Sequence, residues 1–129
     1  MNREHLNKLS KIILDSSIEV HRKLGPGLLE SVYEICLCKE LNLRDINLQR
    51  QVSLPVEYQN EKLDADFRID VLSENEIIIE LKAVEFLLPV HEAQLLTYLK
   101  LADKRLGFLI NFNVPKLVDG FKRMVNGEF

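Results

Sequence analysis

Only four prolines and five glycines interrupt these 129 residues, and no internal repeat, low-complexity tract or linker appears, which excludes a disordered polypeptide. The two cysteines, Cys36 and Cys38, are too few for a disulfide framework. They lie two apart in a segment of helical pattern and point in divergent directions, so reduced structural thiols are expected. The opening M1-N-R-E-H-L-N-K-L-S10 intersperses charges instead of building an apolar block, and nothing later reads as a membrane span. A cytoplasmic protein with no membrane partner is therefore expected. There is no C-x-x-C, H-E-x-x-H, G-x-S-x-G or P-loop, which removes structural zinc, zinc-protease, serine-hydrolase and Walker-type chemistry.

What remains is an ordinary globular composition, 47% apolar, in a chain long enough for one hydrophobic core and too short for two. We read residues 1–129 as one domain. The net charge of −3 argues weakly against a surface that grips nucleic acid everywhere. Its distribution is uneven: residues 1–99 carry −6 and residues 100–129 carry +3. A local basic patch and an ordinary solvated surface both fit that asymmetry.

Leu6, Leu9, Ile13, Ser17, Val20 and Leu24 recur at helical spacing, predicting a helix over about 4–24 that Gly25-Pro26-Gly27 stops. A second stripe, Leu29, Val32, Tyr33, Cys36, Leu37 and Leu41, predicts a helix over about 28–42. Three strand-like segments follow: 48–58, 63–72 and 76–84. They form a plausible antiparallel meander, with Pro55 favouring an edge or bulge in the first. Helical spacing returns from Val90 to Ala102. The continuous apolar run R105-L-G-F-L-I-N-F112 then reads as a strand covered on both faces, joined in parallel through that crossover helix. Pro115 opens an expected final helix over 114–125. The predicted order is ααβββαβα, an α/β chain with a mixed sheet.

The stretch E76-I-I-I-E-L-K-A-V84 carries the chemistry. Its Ile and Leu content demands burial, yet Glu80 and Lys82 share one strand face while Ile79, Leu81 and Ala83 take the other. An unpaired buried charge costs several kcal/mol, so both ions need compensation. If Glu74-Asn75-Glu76 forms a three-residue turn, Asp70 falls opposite Glu80; a two-residue turn would put Glu80 on the other face unless a bulge intervenes. Two adjacent carboxylates repel, and a divalent cation between them reverses that sign. Mg²⁺ suits two carboxylates completed by water, a main-chain carbonyl and a substrate phosphate, with Lys82 orienting the water or countering phosphate charge. A plain ion pair from Lys82 to Glu80 or Asp70 fits the residue chemistry equally. Arg68 alternates onto the Asp70 face, either as phosphate contact or as salt-bridge partner.

These residues resemble the PD-(D/E)XK nuclease superfamily, whose signature joins an acid on one core strand to E/D-x-K on the next. Asp70 fills the first role, with Ile69 where the signature has proline, and Glu80-Leu81-Lys82 fills the second. More narrowly, G27-L-L-E-S-V-Y33 is similar to the motif naming the GxxExxY family within that superfamily. The likeness extends over V20-H-R-K-L-G-P-G27, R50-Q-V-S-L-P-V-E-Y58, R68-I-D-V71, E80-L-K-A-V84 and L109-I-N-F112. The resemblance implies a restriction-endonuclease-like fold, a mixed β-sheet flanked by helices.

It further implies that Glu30 joins Asp70 and Glu80 at the metal, as a ligand or by holding a metal-bound water; a helix N-terminus would equally favour that acid. Q94-L-L-T-Y98 resembles the Q-x-x-x-Y element of recombination-repair exonucleases, placing Gln94 and Tyr98 on the substrate side or behind it. Tyr33 is read as core packing or support for the site. His21 is the better accessory histidine and His91 the weaker, both against an ordinary structural hydrogen bond. Phosphate positioning would draw on Lys100, Lys104, Arg105, Lys116, Lys122 and Arg123. The expected activity is phosphodiester hydrolysis of nucleic acid, DNA first, with Mg²⁺ or Mn²⁺. Glu30, Asp70, Glu80 and Lys82 form the catalytic set. The alternative is a nuclease-like module that binds nucleic acid or protein without turnover. Homodimerisation is a further expectation, since a short chain needs a partner to build a DNA-spanning cleft.

Overall fold

The computed structural model describes residues 2–129. Helix α1 (Arg3–Leu24) begins where the Asn2 side-chain oxygen accepts the His5 amide at 2.8 Å, and it stops at Gly25, whose φ of 71° disfavours any side chain. Leu6, Leu9, Ile13 and Val20 are its buried stripe. Ser16 and Ser17 are buried beside them, and their hydroxyls return to the carbonyls of Ile12 and Ile13, so no outside partner is needed.

Helix α2 (Glu30–Leu43) folds back on α1 and buries Tyr33, Leu37, Cys38 and Leu41. One phenol pins the break between the helices. Tyr33 donates to the Gly25 carbonyl at 2.6 Å and accepts the Leu28 amide at 3.1 Å, with its ring stacked on Phe112. Tyr33 is therefore a core residue that shapes the turn leading to Glu30. Burial pushes the Cys38 thiol up to about 11, which keeps it protonated.

Strands β1 (Leu48–Tyr58), β2 (Glu61–Ser73), β3 (Ile77–Lys82), β4 (Leu106–Asn111) and β5 (Phe121–Val125) lie in that order across one sheet. β3 and β4 run parallel, linked by helix α3 (Pro89–Ala102), and the other neighbours run antiparallel. Helices α1 and α2 cover one face over Val71, Ile77, Ile79, Leu81, Phe108 and Ile110. Helix α3 covers the other, where Leu95, Tyr98 and Leu99 meet Ile69, Leu72, Ile78 and Leu109. β4 is buried along its whole length for that reason. At Gly107 a Cβ would lie 3.1 Å from both the Ile78 carbonyl and a Leu95 methyl, so the glycine lets α3 sit close. No helix among the described residues is long and apolar enough to cross a membrane.

The C-terminal segment departs from the sequence reading. Residues 114–125 do not form a helix: a 3₁₀ turn at Leu117–Gly120 leads into β5, which pairs with β4. Leu117, Phe121 and Val125 are four apart, and Phe121 and Val125 also share a strand face, so the spacing fits both periods. Tertiary pairing decides it. β5 takes up the open hydrogen-bonding edge of β4, and Phe121 packs on Phe108 with ring centroids 4.8 Å apart.

Candidate active site

The β2–β3 ladder runs Ser73 with Ile77, Leu72 with Ile78 and Val71 with Ile79, then stops. The turn is thus Glu74-Asn75-Glu76, with Glu74 and Asn75 both in the left-handed region, and this register extended by one pair would set Asp70 opposite Glu80. There the side chains replace the ladder. The Leu81 amide donates to Asp70 Oδ2 at 2.9 Å, and the Asp70 amide reaches Glu80 Oε1 at 3.4 Å. Across β1, Arg50 pairs with Val71 and Val52 with Ile69, while the intervening Gln51 leaves the ladder with φ 52°. Alternation on β2 breaks at the same point, since Val71 packs under α1 and α2 whereas Ile69 packs under α3. The two strands fork at Asp70, and the fork admits two carboxylates between main chains.

Glu80 is buried with 5% of its surface exposed. Desolvation, then the adjoining Asp70 carboxyl, pushes its pKa up to about 10, with Lys82 pulling the other way. Without a cation the pair therefore holds a proton. Glu30, the first residue of α2, is also raised, chiefly by desolvation; Lys82 opposes this, and Asp70 and Glu34 add to it. These couplings bring Glu30, Asp70, Glu80 and Lys82 into one electrostatic group. Lys82 makes no ion pair with Asp70 or Glu80, so a closed Lys–carboxylate bridge does not explain the burial of Glu80.

Tyr98 joins this group. It is buried on α3 with its ring 5.4 Å from that of Phe67, and its phenol is raised by burial first and by Glu80 and Asp70 next. Gln94 is exposed one turn earlier on the same helix and makes no hydrogen bond among the described residues. Arg68 is exposed on β2 without an ion pair among the described residues. The histidines are engaged locally. His21 Nε2 is 2.7 Å from the Val114 carbonyl and the ring neighbours Phe112, while His91 Nδ1 accepts the Leu88 amide and caps α3. Two cations of the expected basic patch gather elsewhere: Arg105 and Arg123, together with Arg3, surround the Phe129 ring. Lys122 is paired with Glu92.

Several residues that shape the site escaped the sequence reading. Glu34 is buried one turn beyond Glu30 and accepts from Arg50 Nη2 at 2.7 Å and from Gln51 Nε2 at 2.9 Å. Asn111, at the end of β4 beside Lys82, accepts the Val84 amide at 3.1 Å and donates to the Val84 carbonyl at 2.9 Å. It fixes the chain as it leaves Lys82. The i, i+4 spacing of Glu30 and Glu34 was the available signal for the first; a lone Asn ending a buried strand was the only signal for the second.

The sequence model of the PD-(D/E)XK nuclease superfamily matches residues 7–124. The chain belongs to the PD-(D/E)XK nuclease superfamily. Its mixed sheet flanked by helices is ordered consistently with the restriction-endonuclease-like α/β fold of that superfamily. No curated protein and no solved structure matches the chain significantly.

Superfamily membership associates the fold with metal-dependent nucleases. Among the described residues no group of three or more His, Cys, Asp or Glu is assembled as a metal cage. The donor set is narrower: the Asp70 and Glu80 carboxyls lie against each other, and one oxygen of each faces a main-chain amide. Two hard oxygens converging in a fork suit a small divalent ion whose shell is completed by water and phosphate. The charges of Lys82 and Asp70 act on Glu30, and that of Lys82 on Glu80.

Proposed function

We propose that this chain hydrolyses phosphodiester bonds in nucleic acid, DNA first, with Mg²⁺ or Mn²⁺ held by Asp70 and Glu80. The observation that supports the reading is the β2–β3 fork, where buried Glu80 and half-buried Asp70 meet carboxyl to carboxyl with no ion pair from Lys82. When bound, the cation would polarise the scissile phosphate and acidify a water. Lys82 then orients the attacking water or offsets charge growing on the phosphate, and Glu30 holds a water at the rim or adds a ligand. Tyr98, close to both acids, and exposed Gln94 face the substrate side, with Arg68 available for a phosphate. The G27-L-L-E-S-V-Y33 sequence supports assignment to the GxxExxY branch: Tyr33 pins the turn from which Glu30 projects.

Purified protein with Mg²⁺ or Mn²⁺ should cleave at least one of linear, nicked, single-stranded or branched DNA, or RNA. Lys82→Ala should lose that cleavage by about a hundredfold or more while folding and Mn²⁺ binding persist. Asp70→Ala should lose both. No cleavage of any substrate by a folded, metal-binding protein would overturn the hydrolytic reading. A second reading, a nuclease-like module without turnover, is favoured by the lack of a three-ligand cage. Undetectable Mn²⁺ binding would select it. We also propose a homodimer as the working state, which light scattering showing only monomer would refute.

A further inference from the structure

We propose that Glu34 is a positioning residue, which holds Gln51 in its left-handed conformation across from Asp70 and thereby sets the fork that aims Asp70 at β3. In a regular strand Arg50 and Gln51 would point to opposite faces, yet both reach Glu34. Arg50 places Nη2 at 2.7 Å and Nε at 3.1 Å from Glu34 Oε2, and Gln51 Nε2 lies 2.9 Å from Oε1. Gln51 achieves this with φ 52°, a conformation a non-glycine residue holds only when its surroundings over-determine it. The residue facing it, in the constant register of Arg50 with Val71 and Val52 with Ile69, is Asp70. There β2 changes which face its side chains take, leaves β3 and offers its carboxylate to the Leu81 amide.

Glu34 is 5% exposed and sits one turn beyond Glu30 on α2, so the same helix delivers a rim acid and the clamp. Arg50 pairs with Glu34 and offsets the charge it brings to the helix that also carries Glu30. The clamp thus fixes a geometry that the strand would otherwise relax by returning Gln51 to the ladder. Its consequence for hydrolysis rests on reading Asp70 and Glu80 as the metal pair; its consequence for the fork does not.

The Leu81 amide reports the fork directly, because its partner is Asp70 Oδ2. Glu34→Met keeps the length of the side chain and removes both acceptors, and the partly exposed Arg50 can turn to water. By hydrogen exchange on the full-length protein, Leu81 should exchange about tenfold faster in Glu34→Met, with Ile78 and Leu109 unchanged. Asp70→Ala is the positive control. Adding Gln51→Gly to Glu34→Met should restore most of the protection, since glycine takes the left-handed conformation without a clamp. Equal Leu81 exchange in Glu34→Met and wild type overturns the proposal, as does a uniform rise across all core amides, which marks mere destabilisation. Selective loss that Gln51→Gly fails to restore overturns the route through Gln51. In the cleavage assay, Glu34→Met should lower kcat with KM held and regain it with Gln51→Gly. If the wild-type protein cleaves nothing, the hydrolytic reading falls while the exchange experiment still decides the clamp.

Discussion

Glu80→Gln is expected to stabilise the metal-free protein, and by an amount that grows with pH. In the folded chain, burial and then Asp70 raise the Glu80 carboxyl to about 10, against an ordinary value of 4.5. Below pH 4.5 folded and unfolded chains both hold the proton, and the shift costs nothing. As pH rises from there the unfolded chain releases its proton while the folded chain keeps it. Stability therefore falls by about 1.4 kcal/mol per pH unit, until the folded carboxyl also ionises near 10. By pH 7 the accumulated loss reaches up to roughly 3 kcal/mol, a large share of a small domain's stability. Solvent screening removes little of it, because Glu80 is almost fully buried.

Glutamine keeps the shape and has no such titration. Urea unfolding in EDTA at pH 5, 6, 7 and 8 should show the gap between Glu80→Gln and wild type widening with pH at constant m. A gap that stays flat would refute the account of Glu80 as a proton-holding member of a carboxylate pair. The metal enters as a linked prediction. Mn²⁺ uptake by the wild-type protein at pH 7 should release about one proton, read by calorimetry in two buffers of different ionisation enthalpy. Glu80→Gln should release none.

Tyr33→Phe deletes the hydroxyl shared by Gly25 and Leu28 and should cost about 2 kcal/mol in urea unfolding; a loss below about 0.5 kcal/mol would mean the turn does not depend on it. Gly120→Ala drives a Cβ into the Asn111 carbonyl oxygen, so the chain entering β5 must shift and thermal unfolding should reveal a loss of at least about 2 kcal/mol. His21→Asn should cost about 1 kcal/mol through the Val114 bond yet leave Mn²⁺ affinity unchanged. A tenfold fall in that affinity would return His21 to the site.

Local chemistry accounts for much of what the chain becomes. Apolar spacing marks α1, α2, α3 and β4, and the observed α1 and α2 bounds lie within two residues of the predicted ones. The sequence framed the Glu74-Asn75-Glu76 turn as one of the open alternatives, beside a two-residue turn and a bulge, and the β2–β3 ladder selects it. The two acids and the lysine could be selected from E-x-K and the strand before it, since two charges in an Ile-rich strand demand an explanation that sequence alone can pose.

Tertiary structure decided what pattern leaves degenerate. Leu117, Phe121 and Val125 satisfy both the helical and the strand period, and the open edge of β4 selected the strand. His21 and His91 carry the same imidazole as any ligand, and only the nearby Val114 carbonyl and Leu88 amide show them engaged elsewhere. The clamp of Glu34 on Arg50 and Gln51 spans sixteen and seventeen residues of sequence, and it opposes the strand's own alternation. A side chain's neighbours along the chain prescribe periodicity and charge. Whether two carboxylates come to share a fork depends on how three strands and a helix pack, because only that packing can hold Gln51 out of the ladder and Asp70 against Leu81.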